Sequence, residues 1–342
     1  MTRKVTIALD AMGGDSGPDP IIPAALAILE RQDSVNLSLV GLPETLEVAR
    51  KAVSEKNSPR LRLIAAPEVV TMTDHPAEAL RRKKKSSLRL AIQEVKDGRA
   101  DACVSAGNTG ALMAMARHVL KTLPGIDRPA IISAIPGINN PSFMLDLGAN
   151  IGCTAQHLFQ FALMGSVVAK DMLNLKCPSV GLLNVGEEDV KGNEVVREAG
   201  ELLARSGLNY IGFVEGNDIF KDKANVIVSD GFVGNVALKT MEGVASMIGT
   251  YLREEFQRDP LRKLQGIAAS PALRALRGRL DSRRYNGASL VGLNGVVIKS
   301  HGSADKFSFE AAVSMAIIEA RKGVPLQIGK LVEEQSALCI RG

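Results

Sequence analysis

Five short segments of this 342-residue chain gather the residue types that hold anions, and each follows a run of apolar residues. Asp10 leads into Ala11-Met12-Gly13-Gly14-Asp15. The two glycines let backbone come close to a ligand and the carboxylates can orient it, although a tight Gly-Gly turn explains the same residues. The spacing is not that of a dinucleotide fingerprint. Ser105-Ala106-Gly107-Asn108-Thr109-Gly110 opens directly into an apolar helical pattern. Amides at such a helix start, with the Ser105, Asn108 and Thr109 side chains, form an anion cradle; ordinary capping by Asn108 or Thr109 is the alternative. No Walker-A sequence occurs, so the natural guest is free phosphate or a phosphate group on a substrate.

The other three segments repeat the theme. Asn184 to Asn193 packs Glu187, Glu188, Asp189, Lys191 and Asn193 together. Ser229-Asp230-Gly231-Phe232-Val233-Gly234-Asn235 enters a helical pattern carrying Lys239 and Glu242, a second candidate anion-binding start. His301 follows the apolar run 296–298 in Lys299-Ser300-His301-Gly302-Ser303, as a turn residue or as part of a rim shared with the other loops.

The elements that must position these loops alternate regularly. Strands are expected at 5–10, 36–40, 61–66, 101–105, 130–135, 142–147, 178–185 and 210–216, with helices at 18–30, 43–53, 76–95, 109–121, 154–170 and 189–205. Strand-helix-strand alternation of this length predicts an α/β fold, a layered αβα arrangement on a largely parallel, Rossmann-like sheet. Ligands in such sheets collect beyond the carboxyl ends of the strands, so the five loops are expected to share one cleft. The chain reads as a single large domain, 1–342, with an inserted helical hairpin at 252–284. Asp259-Pro260 and Ser270-Pro271 each predict a helix start. The two short helices place Leu261, Leu264, Ile267, Leu273, Leu276 and Leu280 at helical spacing, with Arg262, Lys263, Arg274, Arg277 and Arg279 between them. Such a pair suits an anionic membrane or an acidic partner, or else packs on its own chain or a second subunit.

Composition narrows the function classes. With 46% hydrophobic and 23% charged residues the chain is globular, and 9 Phe, 3 Tyr and no Trp give no base-stacking platform, so no nucleic-acid partner is expected. Cys103, Cys153, Cys177 and Cys339 form no Cys-x-x-Cys pair, so no metal site is expected. The N-terminal apolar run stops at Asp10, too early for a signal peptide, and the longest apolar run is broken by Gln160, which predicts a cytoplasmic protein. The net charge of +5 is uneven: residues 81–99 hold eight basic and two acidic groups, residues 252–284 nine and four, and the remainder is acidic. These are two basic patches on an acidic body.

Taken together, ALDAMGGDSGPD, the Lys83-Lys84-Lys85-Ser86-Ser87 run, SAGNTGALM, LDLGAN, NVGEEDVKGN, VSDGFVGNVALKTMEG and KSHGSAD resemble the bacterial phosphate acyltransferases of phospholipid synthesis (PlsX type) over nearly the whole chain. The resemblance implies the fold of the phosphotransacetylases and the isocitrate/isopropylmalate dehydrogenases. It also implies a homodimer without a cofactor, and transfer of a long fatty acyl group from acyl carrier protein to inorganic phosphate. The acyl phosphate would pass to a membrane glycerol-3-phosphate acyltransferase. On that reading phosphate sits at 107–110 with help from Lys191 and Asn193. Asn235 or the amides near Gly234 meet the oxyanion, Lys239 and His301 are further donors, and Asp10 and Asp230 orient them. The run Arg81, Arg82, Lys83, Lys84, Lys85 is expected to dock the acidic carrier protein, the alternative being a solvated helix face. The 260–280 region would line an acyl groove or rest on the bilayer as a peripheral membrane contact. Two other readings stay open. An NAD-dependent decarboxylating dehydrogenase would need a metal-binding aspartate cluster and a nicotinamide site; a non-catalytic membrane-surface scaffold would bind liposomes without forming acyl phosphate.

Overall fold

The computed structural model describes residues 3–341 apart from 189, 281, 282, 284 and 285; the side chains of 276, 277, 279, 280 and 336–341 also lie outside the described set. The chain begins β1 (Val5–Asp10), α1 (Pro18–Arg31), β2 (Val35–Gly41), α2 (Pro43–Ala52), β3 (Leu61–Ala65). It continues α3 (Pro76–Arg82), α4 (Ser87–Lys96), β4 (Ala102–Ser105), α5 (Thr109–Leu120), β5 (Ala130–Ile135), β6 (Ser142–Leu145), α6 (Ala155–Met172). Then come β7 (Ser179–Leu183), α7 (Glu194–Ala204), β8 (Asn209–Val214), β9 (Val226–Val228), α8 (Gly231–Gln257) and α9 (Pro260–Leu280). β10 (Ala288–Val291), β11 (Val296–Lys299), α10 (Lys306–Lys322) and α11 (Val324–Arg341) complete the described fold. Prolines at the first turns of α1, α2 and α3 cost nothing there, because those amides have no intrahelical acceptor.

The described strands form one sheet in the order β3-β2-β1-β4-β11-β10-β5-β6-β9-β7-β8. Most neighbours run parallel, and helices cover both faces, as expected from the alternation. On β1 the alternate residues Val5, Ile7 and Leu9 enter the core beneath α1, α6 and α10, together with Phe161 and Phe309. Ala8 faces the other way, into the core of Leu88, Ile92, Leu112 and Met115 from α4 and α5.

Three antiparallel pairings decide where the loops end up. β10 runs against both β11 and β5, and β5 runs against β6. So β1, β2, β3, β4, β11 and β5 share one direction, and β6, β9, β7, β8 and β10 the other. The carboxyl ends of β1, β4 and β11 therefore lie at one end of the sheet, and those of β6, β7 and β9 at the opposite end.

Local structure departs from the sequence expectation at three places. The helix expected over 76–95 is two helices, because Ser86 caps α4 by accepting the Arg89 amide, while Lys83 turns to the Val69 carbonyl and Asp74. The helix expected from 189 starts only at Glu194, where Asn193 Oδ1 accepts the Val196 amide at 2.9 Å. Asp259 caps α9 as expected, but Pro271 lies inside that helix and does not start another. Water can take the carbonyl that an exposed helix loses to a proline.

Candidate active site

The last residues of three adjacent strands are polar and buried: Asp10 on β1, Ser105 on β4 and Lys299 on β11. The registers place Ser105 opposite Lys299, and the next rung beyond Leu9 and Val104 pairs Asp10 with Ser105. All three point to the face covered by α4 and α5, since their strand neighbours Leu9, Val104 and Ile298 belong to the core of the other face. Ser105 Oγ donates to Asp10 Oδ2 at 2.7 Å and accepts the Gly107 amide at 3.0 Å, while Asp10 Oδ1 accepts the Met12 amide at 3.2 Å. Burial raises the Asp10 carboxyl, opposed by these bonds, by the nearby Ser87 hydroxyl and by the Lys299 charge. Ser87 Oγ is buried beside the carboxylate without a well-aligned partner.

Glycines let the loops close over this row. A Cβ on Gly13 would lie 2.6 Å from the Gly107 nitrogen; Gly14 has φ +95° and packs on the Gly302 carbonyl, which accepts the Asp15 amide at 2.8 Å. Above them α5 begins. Asn108 caps it, accepting the Ala111 amide at 3.0 Å and donating to the carbonyls of Met72 and Asp74 at 2.8 and 3.1 Å. Its side chain is thus committed to the fold, as the capping alternative held. Among the described residues no acceptor takes the amides of Thr109 and Gly110, which are exposed at the positive end of the helix. His301 is exposed at the same end of the sheet, its Nδ1 2.8 Å from Ser303 Oγ and its amide held by Asn286 Oδ1.

The remaining expected residues lie at the opposite end. Asp230 caps α8 through Oδ1 to the Phe232 and Val233 amides, the Gly231 amide goes to the Asn150 carbonyl and the Gly234 amide to the Asp230 carbonyl. The first-turn amides of α8 are therefore spent, and those near Gly234 have no N–H left for an oxyanion. Gly234 answers a packing need, since a Cβ there would fall 1.9 Å from the Asp146 carbonyl oxygen. Asp146 itself organises this loop, accepting the amides of Ile131, Ala149 and Asn150 and the Asn150 side chain. Asn235 is exposed beside Gly148, and Lys191 and Asn193 are exposed in the loop after β7. Strand direction thus sorts the five loops into two sets: one with Asp10, Gly13, Gly14, Ser105, Gly107, Asn108, Thr109, Gly110 and His301, another with Lys191, Asn193, Asp230, Gly234 and Asn235. Lys239, further along α8, pairs with Glu242 at 2.9 Å and lies close enough to the first rim to act on the Lys299 ammonium.

Lys299 is the residue that sequence reasoning passed over, although an ionic residue closing an otherwise apolar strand was the available signal. The basic run borders this first rim: Arg81, Arg82, Lys84 and Lys85 are exposed, and the 72–74 segment that Asn108 holds is tied to Lys83. On α9, Leu261, Leu264 and Ile267 are 65, 64 and 69% exposed and Arg274 is exposed; the Leu276 side chain lies outside the described residues. Gly266 receives Phe256 of α8, so the two helices pack on each other. No helix among the described residues is long and apolar enough to cross a membrane, and no group of three or more potential metal ligands occurs among them.

The model of the fatty acid synthesis protein family matches residues 5–327. The phosphate acyltransferase of Alkalilimnicola ehrlichii is 58% identical over 333 residues, covering 97% of both chains. That of Nitrosococcus oceani is 57% identical over 330 residues, covering 96% of this chain and 97% of its own. Among solved structures, a phosphotransacetylase from Streptococcus pyogenes superposes with TM-score 0.62 at 18% identity, over 93% of this chain and 94% of that one. A 4-hydroxythreonine-4-phosphate dehydrogenase from Burkholderia phymatum gives 0.52 at 15%, over 92% and 98%. These two likenesses speak for the fold alone. The sequence relatives speak for more: the chain belongs to the fatty acid synthesis protein family and, within it, to the phosphate acyltransferases.

Proposed function

We propose that this acyltransferase moves a long fatty acyl group from acyl carrier protein to inorganic phosphate. The observation that carries the reading is the start of α5, where the unengaged amides of Thr109 and Gly110 stand above the buried Asp10, Ser105 and Lys299. A phosphate dianion suits that helix end. A phosphate oxygen attacks the thioester carbonyl carbon; the new C–O bond forms, the C–S bond breaks, and the thiolate leaves with the electron pair. A thiol of pKa about 8.5 leaves readily, so little acid-base help is needed. Holding the two reactants together contributes roughly 7–11 kcal/mol, and one oxyanion donor roughly 2.7–4 kcal/mol. His301 at this rim and Lys239 on α8 serve as oxyanion donors. No cofactor enters the step.

Lys191, Asn193, Asp230 and Asn235 act in the same reaction from a second copy of the chain, a reading supported by the strands that carry their loops running opposite to β1, β4 and β11. Exposed apolar side chains around them, among them Ile151, Val185, Phe232, Val233 and Val236, support a homodimer contact at this end. Arg81 and Arg82 dock the acidic carrier protein beside the first rim. The exposed leucines of α9, with Arg274, rest on an anionic membrane, where the product passes to a membrane glycerol-3-phosphate acyltransferase. The test is formation of acyl phosphate from acyl-loaded carrier protein and phosphate, with acyl-CoA as competing donor. Liposome binding without product would replace this reading by a scaffold role.

A further inference from the structure

Lys299 is 8% exposed, yet among the described residues it makes no ion pair. Its Nζ donates to the Ala106 carbonyl at 3.2 Å and to the Ser300 carbonyl. The peptide that carries the Ala106 carbonyl also carries the Gly107 N–H, which donates to Ser105 Oγ, which donates to Asp10. The ammonium therefore stands at one end of a hydrogen-bonded chain whose other end is a buried carboxylate, and the chain runs through the turn leading into α5. Two carboxylates face it, Asp10 at the end of β1 and Asp15 in the following loop, and Lys239 approaches from α8. Ser105 is its neighbour on β4 and His301 follows it on its own strand end.

Those two carboxylates set a negative potential just where a phosphate dianion would enter. We propose that Lys299 is a positioning residue for phosphate, whose buried ammonium offsets Asp10 and Asp15 and fixes the Ala106–Gly107 peptide so that the first turn of α5 accepts a dianion. It need not touch the reacting atoms. Burial lowers Lys299 to about 8, with Asp15 and Asp10 pulling upward and Lys239 downward. The ammonium is thus charged below that pH and lost above it, and phosphate binding, which favours the charged form, weakens as it is lost.

This inference rests on phosphate binding at this turn, so binding is measured directly. Inorganic phosphate is titrated calorimetrically into the full chain from about pH 7 to about pH 9.5, alongside Lys299→Arg and Lys299→Met, with the Michaelis constants for phosphate and acyl donor followed in parallel. Wild-type affinity for phosphate should fall by about tenfold per pH unit above the Lys299 titration while the acyl-donor constant stays level. Lys299→Arg should hold its affinity across the range, because guanidinium stays charged. Lys299→Met should bind at least about tenfold more weakly near neutral pH and show no further fall. If that variant does not fold, the wild-type pH series decides alone. Wild-type affinity that stays flat with pH, or Lys299→Met binding as tightly as wild type, overturns the role of Lys299 and leaves the phosphate turn standing. No phosphate binding by wild type at any pH overturns both.

Discussion

Ser105 Oγ donates a 2.7 Å hydrogen bond to Asp10 Oδ2, and both residues are buried at the ends of neighbouring strands. The same oxygen accepts the Gly107 amide, so one hydroxyl ties the β1 end to the turn before α5. Ser105→Ala leaves a buried carboxylate and a buried amide each one partner short. Stability should fall by about 1–3 kcal/mol. Urea unfolding reads the loss, and the phosphate Michaelis constant should rise several-fold with the acyl-donor constant little changed. An equal rise in both constants would count against a phosphate role for this turn.

If two copies supply the two rims of one site, defects in different rims complement. His301→Ala and Asn235→Ala should each be nearly inactive alone. Unfolded and refolded together in equal amounts, they should recover about a quarter of wild-type turnover, because half the dimers are mixed and each mixed dimer has one intact pair of rims. No recovery from a properly mixed population would place both rims' chemistry within one chain.

Arg81 and Arg82 are exposed, beside the segment that Asn108 holds. Reversing both to Glu should raise the Michaelis constant for acyl-loaded carrier protein by about tenfold or more at low salt, leaving that for phosphate unchanged. The difference from wild type should shrink as salt screens the contact. A constant that does not move would return this run to the status of a solvated helix face.

Leu261, Leu264 and Ile267 of α9 are exposed with no core to cover them. Replacing all three with Ser should release the protein from liposomes rich in anionic lipid in a sedimentation assay, while turnover with soluble substrates persists. Retained binding would locate the membrane contact elsewhere.

Glu319 is buried with Ser289 Oγ donating to Oε2 at 2.9 Å and Oε1 unsatisfied. Burial, the largest influence, raises it to about 7. The folded state therefore keeps a proton that the unfolded chain gives up near its ordinary 4.5, so stability declines as pH rises from that value through about 7 and levels off above. Glu319→Gln should remove about 1–3 kcal/mol of that decline. Denaturant unfolding near pH 5 and pH 8 measures it; an unchanged difference between the two would mean the carboxyl ionises normally.

Sequence alone determined much of the local structure. β-branched runs, first-turn prolines and capping residues act over a few neighbouring positions, so β1, β5 and α5 lie close to where the residues place them. The same holds for the Gly, Asn and Asp clusters that end the strands, whose motifs also identify the family. Ser86 and Pro271 were harder to read because a cap or a proline has opposite consequences in a packed and an exposed helix. Strand direction was beyond local reading altogether. Whether a strand runs up or down depends on its sheet neighbours, and the antiparallel placement of β10 and β6 sends the ends of β7 and β9 away from those of β1 and β4. Lys299 shows the same limit. In the chain it closes an apolar run far from Asp10; only the pairing of β11 with β4 sets it beside Ser105, where burial and two carboxylates act on its charge.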